Sequence, residues 1–156
     1  MAKAQARRSI AKNRKAHHSF HILEELECGI ELVGTEVKSL RSGQCSLQEA
    51  FGRLRGGELW LLGATIPVYS HGNIHNHEPA RERKLLVHKR EIAKWEKRVR
   101  EKGITLVPLE VYFQGSRVKV LMALCRGKKL FDKRDDQRKK DAQRDIDRET
   151  RARERG

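Results

Sequence analysis

Residues 49–66 read EAFGRLRGGELWLLGATI. Two short runs carrying bulky apolar side chains flank Gly56-Gly57, and that pair is a strong short-range signal for a β-hairpin. The favoured two-residue turn needs positive φ at both central positions, which glycine adopts at no steric cost. A second hairpin is expected where ITLVPLEVYF (104–113) and SRVKVLMALC (116–125) flank Gln114-Gly115. Pro108 has no N–H to give to a strand ladder, so it belongs on an edge or at a bulge.

Working outward, SFHILEELECGIELVG (19–34) alternates around Phe20, Ile22 and Leu26 and again around Ile30 and Leu32, with Gly29 between them as an expected bulge or bend. GTEVKSLRSG (34–43) predicts a helix of about two turns, with Thr35 as N-cap, Val37 and Leu40 on one face and Gly43 as the stop. IPVYSHGNIHNHEPARER (66–83) is a polar loop punctuated by Pro and Gly. In KLLVHKREIAKWEKRVREKG (84–103), Ile92, Trp95 and Val99 recur at helical spacing before Gly103. About six strands with a short and a longer helix inserted predict a mainly β domain over residues 19–125, an antiparallel barrel of the oligonucleotide-binding type. Phe20, Phe51, Trp60, Trp95 and Phe113 are expected in its core.

The chain has 156 residues, room for one domain plus extensions. Lys and Arg number 35 against 21 Asp and Glu, a formal charge of +14. Such an excess attracts a polyanionic partner, because a phosphate backbone and its condensed counterions respond to charge of one sign. A membrane is not the expected anion, since no apolar run approaches the roughly 20 residues of a span. Nor does an apolar segment follow the basic N-terminus, as a secretory signal requires. Cys28, Cys45 and Cys125 are too widely spaced for a zinc site and odd in number, so reduced thiols in the cytoplasm are expected. His71, His75 and His77 lack a fourth ligand and supporting carboxylates, and no metal site is assigned to them. Neither a nucleophile motif nor a nucleotide-binding loop is present, so neither catalysis nor a cofactor is expected. Aromatic residues make up only 5%, which argues against a stacking platform for single strands and for a structured RNA that presents its backbone.

Both ends are charged. Residues 1–18 carry six Lys or Arg and no acid, and are expected as a basic arm. Residues 126–156 hold 13 Lys or Arg and 8 Asp or Glu, and from residue 132 onward the only aliphatic side chains are Ala142, Ile146 and Ala152. Four acid-to-base i,i+4 pairs contribute roughly 1–2 kcal/mol together, too little to secure an isolated helix. The tail is therefore expected to be disordered when free. Wound as a helix at about 100° per residue, it would gather Lys133, Lys140, Arg144, Arg148, Arg151 and Arg155 into one acid-free stripe.

NRKAHHSFHI, ECGIELVGTEVKSLRSGQCSL, NHEPARERKLL, GITLVPLEVYF and RGKKLFDKR occur here in an order and spacing that resemble the SsrA-binding protein family, over about residues 12–140. The resemblance implies a six-stranded oligonucleotide-binding-type barrel with three helices and an adaptor role without catalysis. It implies binding to the tRNA-like end of transfer-messenger RNA and delivery, with elongation factor Tu and GTP, to ribosomes stalled on messages lacking a stop codon. The nascent chain is then tagged for degradation. It further implies transfer-messenger RNA contacts at Glu27, Lys38, Arg83, Lys84, Leu86 and Lys119, with Arg83 and Lys84 supplying phosphate-facing charge. Asn13, Arg14 and His18 would lie near the small-subunit decoding site. Gly127, Lys128, Lys129, Phe131, Asp132, Lys133 and Arg134 would follow there, and the tail, with Lys140, Arg144, Arg148 and Arg151 on its stripe, would become helical in the empty mRNA channel. The protein is expected to act as a monomer. A different basic RNA binder, such as a ribosomal protein, is the alternative that charge and a small barrel leave open.

Overall fold

The computed structural model describes residues 7–69, 76–128 and 130–155, with the side chains of 130–136 and 153–155 left aside. Eleven elements follow in chain order: β1 (Arg7–Lys12), α1 (Arg14–Ser19), β2 (Phe20–Ile30), α2 (Gly34–Arg41), β3 (Phe51–Arg55), β4 (Glu58–Leu62), β5 (Arg83–Leu86), α3 (Lys89–Val99), β6 (Ile104–Gln114), β7 (Arg117–Gly127) and α4 (Leu130–Arg155). All strand pairings are antiparallel, in the order β1-β6-β3-β4-β5-β2-β7, and β6 also pairs with β7. That last pairing closes six strands, β2 to β7, into a ring and leaves no open edge along it. β1 is the seventh strand, laid along the C-terminal half of β6, with Arg7 opposite Gln114 and Lys12 opposite Glu110.

The two hairpins form where glycine signals them. Gly56 and Gly57 have φ of 62° and 74°, the two positive values that bring Arg55 opposite Glu58. Gly115, at φ 61°, turns β6 into β7. The β6–β7 register shifts between Pro108 and Glu110, so Pro108 does sit at a bulge. β2 is bulged too, but between Ile22 and Glu24. Gly29 is not the bulge. It stays in ladder, opposite Leu86 on one side and Lys119 on the other.

The interior is apolar and filled mainly from β4 to β7, with Leu59, Leu61, Leu85, Leu106, Val120, Met122 and Leu124 each at most 1% exposed. α3 contributes Trp95, also 1% exposed; burial of so large an apolar surface favours the fold by about 3 kcal/mol at the usual area coefficient. Phe113 is buried as expected, whereas Phe20 and Trp60 are half-buried and Phe51 is exposed on the barrel surface.

Three segments add to the elements expected from the sequence. The basic arm is not separate from the barrel, because β1 and α1 lie within it and Asn13 ties their junction to β6. RKLL forms a strand, β5, ahead of the helix, which begins at Lys89. The tail is one 26-residue helix, α4. Among its described side chains, Gln137 donates to Asp141 and Gln143 to Asp147 at 3.0 Å, i,i+4 pairs that supplement the charge pairs counted from sequence.

Candidate nucleic-acid interface

A row across three strands shapes one part of the described surface. Leu86 on β5, Gly29 on β2 and Lys119 on β7 stand opposite one another. Since Cys28 and Val120, their neighbours along β2 and β7, point into the core, the row faces outward. Gly29 has a reason to be glycine: an added Cβ would sit 3.1 Å from the Leu86 Cβ. Leu86 leans over that bare backbone and keeps 49% of its surface exposed. Simple core packing does not describe it. Two adjoining cavities of about 440 and 430 Å³ share Gly29, Leu86 and Lys119 as walls; Val37 and Arg117 line the first, Glu27 and His88 the second. Three of the residues singled out from sequence, Glu27, Leu86 and Lys119, thus meet in one groove.

Glu27 is held there by a residue that sequence reasoning missed. Tyr112 is fully buried, and its hydroxyl donates to Glu27 Oε2. The guanidinium of Arg7 lies 3.8 Å above the Tyr112 ring and reaches Glu110 Oε1 through Nη2 at 2.5 Å. Burial, then the Glu27 contact, push the Tyr112 phenol well above its ordinary range, so it remains a donor at any pH at which the fold is used. The alternation of β6 marks Tyr112 as a sheet residue, but nothing local in the sequence connects it with Glu27.

Arg83 must be corrected. It is 0% exposed and faces inward, away from any phosphate. Its Nε lies 2.5 Å from Glu36 Oε2, and its other nitrogens donate to the carbonyls of Ala64, Pro79 and Arg81 at 3.0–3.1 Å. Glu36, also 0% exposed, receives Arg81 as well and accepts from the Val33 N–H at 2.9 Å. Val33, not Thr35, is therefore the N-cap of α2. The Thr35 hydroxyl is engaged by His77 Nδ1 at 2.9 Å. The other His77 nitrogen faces the Ile66 carbonyl at 2.8 Å, which accepts, so Nε2 carries the proton. His71 and His75 lie outside the described residues. Lys84 faces outward but is paired with Glu58 at 3.0 Å, which raises its pKa. Lys38 is exposed on α2 with its ammonium 5.6 Å from the Tyr69 ring centroid; it does not line the groove.

At the other end of the barrel, Arg14 and His18 are exposed on α1. Asn13 is buried, its Nδ2 donating to the Pro108 carbonyl at 3.0 Å, so its side chain is committed to the barrel and is not presented by an arm. Gly127 ends β7, and Lys128 clasps α1, its main-chain N–H reaching Ser19 O and its ammonium reaching His17 O, both at 2.9 Å. Lys129 lies outside the described residues. Phe131, Asp132, Lys133 and Arg134 fall on the first turns of α4, and Lys140, Arg144, Arg148 and Arg151 are exposed further along it.

Among the described residues no cluster of three metal-ligating side chains occurs. Burial pushes the Cys28 thiol up to about 12 and those of Cys45 and Cys125 up to about 11, which leaves no thiolate near neutral pH. No helix among the described residues is long and apolar enough to cross a membrane.

A closed antiparallel ring, a strongly basic chain and an outward groove of mixed charge place the protein among small nucleic-acid-binding barrels of the oligonucleotide-binding type. The family model of the SmpB protein matches residues 10–152, and the chain belongs to that family. It is 54% identical over 144 residues to the SsrA-binding protein of Carboxydothermus hydrogenoformans, covering 92% of this chain and 97% of that one. To the SsrA-binding protein of Mycolicibacterium gilvum it is 53% identical over 140 residues, covering 90% and 85%. A solved structure described as "tmRNA-SmpB: a journey to the center of the bacterial ribosome" superposes with a TM-score of 0.66 at 47% identity, covering 77% of this chain and 85% of that one.

Proposed function

We propose that this protein is a non-catalytic RNA adaptor of ribosome rescue: it binds the tRNA-like part of transfer-messenger RNA and accompanies it to stalled ribosomes. The observation that carries this reading is the family match over residues 10–152, together with about half-identical SsrA-binding proteins aligned along nearly the whole chain. The groove supports it from the chemistry. Lys119 offers a cation to phosphate, Leu86 an apolar face, and Glu27 a fixed acceptor for 2′-hydroxyls or base amino groups, a combination suited to folded RNA.

On the ribosome, Arg14, His18 and Lys128 approach the decoding site in this account, with Phe131, Asp132, Lys133 and Arg134 following, and α4 lies in the vacant mRNA channel with its basic stripe against ribosomal RNA. Delivery proceeds with elongation factor Tu and GTP, and the protein acts as a cytoplasmic monomer. A reconstituted translation reaction on a message without a stop codon tests the function. With transfer-messenger RNA present, addition of the protein yields a nascent chain carrying the RNA-encoded tag. If tagging proceeds equally well without the protein, the proposal fails.

A further inference from the structure

Several cations on the described barrel surface have a carboxylate beside them: Arg7 has Glu110, Arg55 has Glu82, Lys84 has Glu58 and Lys94 has Glu24. Arg8 and Arg41 do not follow that pattern. Arg8 is exposed on β1, and its Nη2 donates to the main-chain carbonyl of Arg41 at 2.9 Å. Arg41 is the last residue of α2, so its carbonyl is among those a helix end leaves without an internal partner, and a guanidinium is well placed on it. That bond uses one of five donors on Arg8. Arg8 and Arg41 line a cleft of about 350 Å³ with Phe113, Gly115 and Ser116, and among the described residues no carboxylate lines it.

Two guanidinium groups on one cleft without an acid repel each other, and an anion between them relieves that repulsion while meeting their forked donors. The cleft also has a neighbour. Ser116 is a wall of both this cleft and the groove that contains Leu86, Gly29 and Lys119. Ser116 and Lys119 are three residues apart, about 10 Å in extended chain, a rise of about three nucleotides along one strand of a helix.

We propose that the Arg8–Arg41 cleft is a phosphodiester subsite for the same RNA strand that occupies the Leu86–Gly29–Lys119 row, about three nucleotides away. The inference rests on the RNA-binding reading above and extends its footprint to β1. The pairing of β1 with β6, which sets Arg8 opposite Phe113, is what carries this cation to the end of α2.

The test is binding of transfer-messenger RNA by the full chain across a salt series, using Arg8→Gln with Arg41→Gln. Glutamine is shorter but keeps a hydrogen-bonding end while removing charge, and thermal unfolding checks that the fold is retained. Each lost phosphate contact reduces the slope of log affinity against log salt by about 0.7–0.9, so the double variant, which loses the one phosphate held between the two arginines, is expected to bind with a slope shallower by that amount. A charge-matched control, Arg53→Gln with Lys97→Gln on β3 and α3, is expected to keep the wild-type slope. An unchanged slope in the first variant, or an equal drop in the control, overturns the subsite while leaving the adaptor function standing. Wild-type protein that binds transfer-messenger RNA no better than transfer RNA contradicts the functional reading instead.

Discussion

Replacing Arg83 by Met should destabilise the fold by several kcal/mol and affect RNA binding only through that loss. The arginine and its partner Glu36 are both fully buried, 2.5 Å apart. Met keeps an unbranched side chain in the space but leaves Glu36 with Arg81 and the Val33 N–H, and it deprives the Ala64, Pro79 and Arg81 carbonyls of a donor. Breaking a buried pair by removing one partner costs about 3–5 kcal/mol, a large part of the 5–15 kcal/mol that holds a domain of this kind together. With a urea dependence of about 2 kcal/mol per molar, the unfolding midpoint should fall by about 2 M. Fluorescence of the buried Trp95 would follow it. The same pair predicts a pH effect. Burial raises the Glu36 pKa, but hydrogen bonds from Arg81, the Val33 N–H and Arg83 outweigh burial and hold it below the ordinary 4.5. A carboxylate depressed in the folded state contributes its full stabilisation above the unfolded value and loses it as the pH falls through the folded one. Wild-type stability should therefore decline below about pH 4.5, and Glu36→Gln should flatten that decline. A midpoint unmoved in Arg83→Met, with RNA binding lost at full stability, would refute the reasoning and return Arg83 to the RNA surface.

Other consequences are equally open to measurement. At Gly52 an added Cβ would lie 2.6 Å from Met122 Cε and 2.9 Å from Leu106 Cβ, so Gly52→Ala should lower stability by about 1–3 kcal/mol in urea unfolding. Tyr112→Phe should weaken transfer-messenger RNA binding in the wild-type background and have little further effect in Glu27→Gln. Equal losses in both backgrounds would mean that Tyr112 does not act through Glu27. Reversing Arg144, Arg148 and Arg151 to Glu should abolish tagging on stalled ribosomes while transfer-messenger RNA binding stays near wild type; tagging that survives removes the basic stripe from the mechanism.

What could be read from the sequence was local. Gly56-Gly57 and the turn at Gly115 announce both hairpins, and Ile92, Trp95 and Val99 announce α3, because turn chemistry and helical period are written in adjacent residues. What could not be read depends on partners far along the chain. β1 looks like a solvated basic arm because its strand character comes from pairing with β6, about a hundred residues later, and not from an apolar alternation of its own. Arg83 looks like a phosphate ligand because only the fold brings it to Glu36. Tyr112 looks like one more sheet residue until β2 and β6 place its hydroxyl on Glu27. The groove is the intermediate case: family motifs name Glu27, Leu86 and Lys119, and the registers of β2 with β5 and β7 explain why they belong together.

The most direct test of the account is the affinity of this protein for transfer-messenger RNA at fixed salt, with and without excess transfer RNA, for the full chain and for a chain ending at Gly127. The account predicts tight binding that resists the competitor in both forms, because recognition lies on the barrel and α4 is kept for the ribosome. Equal affinity for transfer RNA and transfer-messenger RNA would contradict it and leave only a basic barrel that holds any RNA.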